Sequence, residues 1–74
     1  MKLSAYKGQV IIEGKESEYS KIEALADKMV EIDSDLALVE GGCECGESFV
    51  TLSYDSSYMT VKEVRETYKQ AKSA

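Results

Sequence analysis

The sequence predicts a small α+β domain, an antiparallel sheet of three to four strands with two helices on one face, in the order ββαββα or βαββα. Three observations carry this. Two short stretches alternate apolar and polar residues around a glycine. Two longer stretches repeat apolar residues at the three-four spacing of a helix, and capping boxes fall near their starts. A chain of 74 residues is also one domain, residues 1–74, with room for one modest core. Such a core rarely supplies more than about 3–5 kcal/mol without a disulfide, a metal or a second subunit, which puts a homodimer among the expectations.

The first element reads as a hairpin. A two-residue turn at Lys7-Gly8 sets Leu3 opposite Ile12 and Ala5 opposite Val10 on one face, and Lys2 opposite Glu13 on the other. A single bulged strand is the alternative, with mixed faces. Gly14 closes this segment. Ile22, Leu25, Ala26, Met29 and Val30 then share one helical face, and Ser20-Lys21-Ile22-Glu23 reads as its capping box, with Ser17 as an earlier start. The helix ends near Ile32, where Asp33-Ser34-Asp35 breaks the pattern.

Leu36-Ala37-Leu38-Val39 reads as a short buried strand, and Gly41-Gly42 opens a polar loop. Ser48 to Tyr54 is a further strand with apolar residues on both faces. Thr60-Val61-Lys62-Glu63 is a second capping box, with Met59 and Val64 placed as a hydrophobic staple. The last helix shows Val61, Val64, Tyr68 and Ala71 as its inner stripe. Val10, Ile12, Ser20 and Glu23 fall forty residues before Val50, Leu52, Thr60 and Glu63. This is either an internal repeat, with Cys43 and Cys45 matching Leu3 and Ala5, or a coincidence of two strand-plus-helix units.

Charge is unevenly distributed. Residues 1–28 balance to zero, and from Met29 to Val61 there are seven acids, Glu31, Asp33, Asp35, Glu40, Glu44, Glu47 and Asp55, without a lysine or arginine. Glu31 and Asp33 sit at a helix C-terminus, where the macrodipole disfavours negative charge, and Asp27 and Glu31 repel at the i,i+4 spacing with nothing basic nearby to relieve them. Residues that break local rules without compensation point to function. Lys62, Arg65, Lys69 and Lys72 form a basic stripe on the last helix, with Lys69 paired to Glu66, and the stripe would silence the acids if it folded onto them.

The chain has no histidine, so the commonest general base is missing, and the sequence predicts binding rather than catalysis. An acidic surface repels nucleic-acid phosphates and attracts basic protein surfaces. The expected partner is therefore a protein with a basic surface, such as the groove of a nucleic-acid-handling protein, contacted by Glu31, Asp33, Asp35, Glu40, Glu44 and Glu47 with Tyr54 and Tyr58 supplying apolar area. In size and sign of charge the chain resembles small phage-encoded inhibitors that take the place of phosphate. That likeness is compositional, with no motif behind it.

The competing expectation is a homodimeric or metal-linked protein built on Cys43-Glu44-Cys45. A structural zinc site wants four ligands, and one chain offers two sulfurs and no imidazole. A bridge between the two is awkward, because residues two apart on a strand lie about 6.6 Å apart. Reduced thiols, as apolar fillers or at a loop tip, are the simpler reading. Asp33 and Asp35 offer alternate oxygens to calcium but lack the glycine and later glutamate of an EF-hand. No cofactor is called for. No segment has the apolar run of a signal peptide or membrane span, and the sequence predicts a cytoplasmic protein.

Overall fold

The computed structural model describes residues 1–73. Strands β1 (Lys2–Tyr6) and β2 (Gln9–Lys15) form the first hairpin, a single 3-10 turn (Glu16–Glu18) leads into helix α1 (Tyr19–Ile32), strands β3 (Ala37–Glu44) and β4 (Glu47–Ser53) form a second hairpin, and helix α2 (Val61–Ser73) ends the chain. The order is thus ββαββα, and the strands lie side by side as β1-β2-β4-β3, all antiparallel. Both helices cover one face.

The first hairpin has the register that alternation requires, with Leu3 opposite Ile12 and Ala5 opposite Val10. Its turn carries positive φ at both central residues, Lys7 at 43° and Gly8 at 87°. That combination matches the right-handed twist of the flanking strands. The β3–β4 turn repeats it with Cys45 at 52° and Gly46 at 79°.

The internal repeat is therefore visible as two ββα units, but its alignment differs from the forty-residue spacing. Cys45 corresponds to Lys7 in the turn, so it is not the counterpart of core residue Ala5. Buried Ile22, Leu25 and Met29 of α1 correspond to buried Val64, Thr67 and Ala71 of α2. The longer connection after β4 shifts the second helix relative to its strands.

The core joins Val10, Ile12, Ile22, Met29, Leu36, Leu52 and Val64, all essentially inaccessible, with Val50, Met59 and the ring of Tyr54 around them. The second capping box forms, with the Thr60 amide donating to Glu63 Oε1 at 3.0 Å and the Glu63 amide to Thr60 Oγ1 at 3.2 Å. Met59 and Val64, the staple pair, are both buried.

Five local expectations are corrected. The Ser20–Glu23 capping box does not form, because Ser20 already lies inside α1. Instead Glu18 Oε1 accepts the Lys15 amide at 2.9 Å, and the Glu16 amide donates to the Gly46 carbonyl at 2.8 Å, pinning the helix entry to the second hairpin. Gly14 lies within β2, where an added Cβ would meet Glu18 Oε1 at 2.8 Å and Ile22 Cδ1 at 2.9 Å. Gly41 and Gly42 likewise lie inside a strand, since β3 runs on to Glu44.

Only Leu36 of the apolar Leu36–Val39 run is buried. Leu38 is 48% exposed and Val39 60%, because β3 is an edge strand and its register slips between Leu38 and Glu40. On α2, Thr67 replaces Val61 in the buried stripe. Its hydroxyl donates to the Glu63 carbonyl at 3.0 Å, which removes the penalty of burying it.

Replacing Ile12 with alanine should cost about 2–5 kcal/mol, comparable with the whole stability of so small a core, whereas Leu38→Ala should stay within about 0.5 kcal/mol. Urea titration followed by circular dichroism measures both. Equal losses would contradict the assignment of β3 to an exposed edge.

Two carboxyls sit below their ordinary pKa values. The Lys15 amide, and then the N-terminal ammonium 3.9 Å away, lower Glu18 against an opposing desolvation. The Ser57 hydroxyl at 2.6 Å and its amide at 2.9 Å lower Asp55. A folded pKa below the unfolded one gives stability that is full above the unfolded value and lost as pH falls through the folded one. Thermal midpoints should therefore drop on acidification below the ordinary values of 4.5 and 3.8. Glu18→Gln should lower the midpoint at neutral pH and flatten that acid limb, and an unchanged limb would remove Glu18 from the account.

Candidate functional site

The helices cover one face of the sheet and leave the other open. Cross-strand partners point to the same side, so the open face can be read in rows from β1 to β3. One row is Ser4, Ile11, Thr51 and Glu40, the next is Lys2, Glu13, Phe49 and Gly42, and a third places Glu47 between Lys15 and Glu44. Ile11 and Phe49 are half-buried and Thr51 is buried, although no helix covers them. They form the floor of a shallow concavity of about 480 Å³, and the charged residues lining it are Glu13, Glu40, Glu44 and Glu47.

This arrangement gathers three of the carboxylates expected from the sequence, Glu40, Glu44 and Glu47, and adds Glu13. Glu44 and Glu47 stand directly opposite each other across the strand pair. Like charges in that position destabilise a sheet, a cost that Lys15, opposite Glu47 on the β2 side, offsets only in part. Glu13 was not singled out because it lies outside the cation-free stretch and faces Lys2 across the first hairpin. Its neighbour on the other side is Phe49 of β4, and alternation within β2 together with a central position for β2 would have pointed to that surface.

Glu31, Asp33 and Asp35 do not join the site. Glu31 lies in the last turn of α1 and Asp33 and Asp35 in the connection to β3, at the opposite end of that strand from Glu44. Each also has a local explanation or partner. Lys28 Nζ lies 3.8 Å from Glu31 Oε2, so that carboxylate is not without a basic neighbour. Asp33 Oδ1 accepts the Asp35 amide at 3.0 Å, and the Asp33 amide donates to the Met29 carbonyl at 2.9 Å, closing α1.

The two tyrosines also separate. Tyr54 is 8% exposed, belongs to the core, and its amide donates to the Gly8 carbonyl at 2.9 Å, which leaves little of it for a partner. Tyr58 is 79% exposed, in the Asp55-anchored turn beyond β4.

The basic stripe of α2 stays away from the acids. Contacts of α2 are with α1 and β1, while β3 is the opposite edge of the sheet. Among the described residues the ion pairs are Met1–Glu18 and Lys28–Glu31, and none involves Lys62, Arg65, Lys69 or Lys72. The expected Lys69–Glu66 pair is accordingly not made, and Lys72 instead lies 5.2 Å from the centre of the Tyr68 ring.

Cys43 and Cys45 are both free and exposed, one at the end of β3 and one in the turn, which excludes them as core fillers. Among the described residues no three histidine, cysteine or carboxylate side chains are grouped closely enough to hold a metal ion, so a metal centred on these thiols would need ligands from a second chain. Also among the described residues, no helix is long and apolar enough to cross a membrane. The chain matches no known protein-family model, no curated protein and no solved structure.

Replacing Cys43 and Cys45 together with serine tests the metal-linked alternative. The expected result is unchanged mass in solution and a thermal midpoint within a few degrees of the parent, since both side chains are exposed. Loss of a dimer, or of bound zinc measured per chain, would transfer the functional centre to the thiols.

Proposed function

We propose that this chain is a protein-binding module whose acidic sheet face engages a basic surface of another protein, acting by binding rather than catalysis. The observation that carries the reading is the ring of Glu13, Glu40, Glu44 and Glu47 around a floor of Ile11, Phe49 and Thr51, of which Ile11 and Phe49 are apolar. Such a face combines the two things a partner needs. The carboxylates steer a cationic surface at distances up to about a Debye length, roughly 8–10 Å at moderate salt. The floor then offers apolar area to bury.

A groove built to hold nucleic-acid phosphates has the matching chemistry. The module would occupy it in place of phosphate, as an inhibitor or regulator, and would itself repel nucleic acid. A homodimer joined through Cys43 and Cys45 is the competing reading, favoured by the exposure of both thiols near one turn.

Charge reversal separates the face from the rest of the acidic segment. Glu13→Lys, Glu44→Lys and Glu47→Lys combined should weaken capture of the basic partner by on the order of tenfold or more, about 1.4 kcal/mol. The combined reversal of Glu31, Asp33 and Asp35 should leave capture largely intact. Binding to the parent protein should also fall as salt rises and be displaced by heparin. Pull-down with quantitative mass spectrometry, on variants whose folding is checked by circular dichroism, reads the difference. Undiminished capture by the first variant overturns the proposal.

A further inference from the structure

We infer that the outer edge of β3 is a docking site for an extended, lysine- or arginine-bearing segment of a partner protein, added as a fifth strand. The inference rests on the acidic-module reading above and gives it a binding mode.

β3 pairs only with β4, so along its eight residues the outward backbone groups have no strand to bond. Proteins usually guard such edges with lysine, proline, shortness or a cover. The other edge is guarded in this way. β1 is short, carries Lys2 and runs into Lys7, whereas a helix contacts both edge strands, α2 on β1 and α1 on β3. β3 contains no lysine and no proline, and it exposes Leu38 and Val39. What guards it is the register slip between Leu38 and Glu40 and the negative charge of Glu40 and Glu44, which repels an acidic strand and admits a basic one.

Beside this edge, a groove of about 340 Å³ runs between β3 and α1. Tyr19, Glu23 and Asp27 line it from the helix, and Leu38, Val39, Glu40 and Gly41 from the strand. A Cβ on Gly41 would lie 3.2 Å from Tyr19 Oη, so glycine at this position keeps the groove open. Partial desolvation, and then the Glu23 carboxylate, raise the pKa of the Tyr19 hydroxyl above its ordinary value.

Side chains of an added strand alternate between the two faces of the sheet. Those on the helix side would meet Glu23 and Asp27, and those on the open side would meet Glu40, Glu44 and Glu47. Both faces therefore select cationic residues. A second copy of β3 would instead bring its own Glu40 and Glu44 into the same negative field, so the charge favours a basic strand over self-pairing.

The test uses isotope-labelled full chain and a short capped peptide of about seven alternating lysines and valines, which suits strand addition. Controls replace every valine with proline, or every lysine with glutamate. The expected result is saturable binding of the lysine–valine peptide, at least tenfold slower hydrogen exchange at alternate amides of Ala37–Glu44, and no binding of either control. Leu38→Lys combined with Val39→Lys, both at exposed positions, should weaken the peptide at least tenfold without altering the fold.

Shifts confined to Ile11, Phe49 and Thr51, with no new protection on β3, overturn strand addition while leaving the acidic-face reading in place. Equal binding of the proline peptide, or no binding by the lysine–valine peptide to a chain that still captures a basic protein through its open face, does the same. Concentration-dependent protection of β3 without peptide assigns the edge to a second copy and also overturns the inference.

Discussion

The pairing of β2 with β4 is the constraint on which the rest of the molecule depends. It sets Val10 opposite Leu52 and Ile12 opposite Val50 at the centre of the sheet, and all four side chains point beneath the helices. A slip of one residue would turn Ile11 and Thr51 into the core and expose the residues now buried. The same pairing joins two hairpins that neither helix alone could hold, and it leaves β1 and β3 as the two edges. Neither hairpin is expected to be stable by itself, since an isolated two-stranded ribbon is marginal in water.

From that one pairing the electrostatic layout follows. With β1 and β3 at opposite edges, α2 packs against β1 and carries its lysines and arginine away from β3. The acids of β3 and β4 therefore keep their field. Strand order rather than composition explains why Glu13, Glu40, Glu44 and Glu47, distant in sequence, line one concavity of the open face. The like-charge pair Glu44–Glu47 illustrates the consequence, because only Lys15, on the other side of Glu47, offsets the repulsion within that row.

Local rules were legible where they were strong. Alternation around Lys7-Gly8 was enough to give the register of the first hairpin, and the Thr60–Glu63 box marked the start of α2. They misled where two signals competed. Ser20 and Glu23 satisfy the spacing of a capping box, but the bonds from the Lys15 amide to Glu18 and from the Glu16 amide to Gly46 start the helical turn ahead of Ser20. Leu36–Val39 has the composition of an inner strand, yet an apolar run says nothing about the number of neighbours a strand will have. Of the acidic residues, Glu40, Glu44 and Glu47 belong to the cation-free run together with Glu31, Asp33 and Asp35, which the fold separates from them, whereas Glu13 required knowledge of which strand lies beside β2.

The sequence by itself determined the fold class, both helices, the first hairpin and the excess of negative charge after Met29, because each depends on residues close along the chain. Only the tertiary structure decided which strand is central and which is an edge, that Thr67 and Tyr54 turn inward while Leu38 and Val39 turn outward, and that the cations of α2 never reach the acids. Those outcomes depend on contacts between distant segments, and their physical origin is the competition for one small core, which can cover only one face of the sheet.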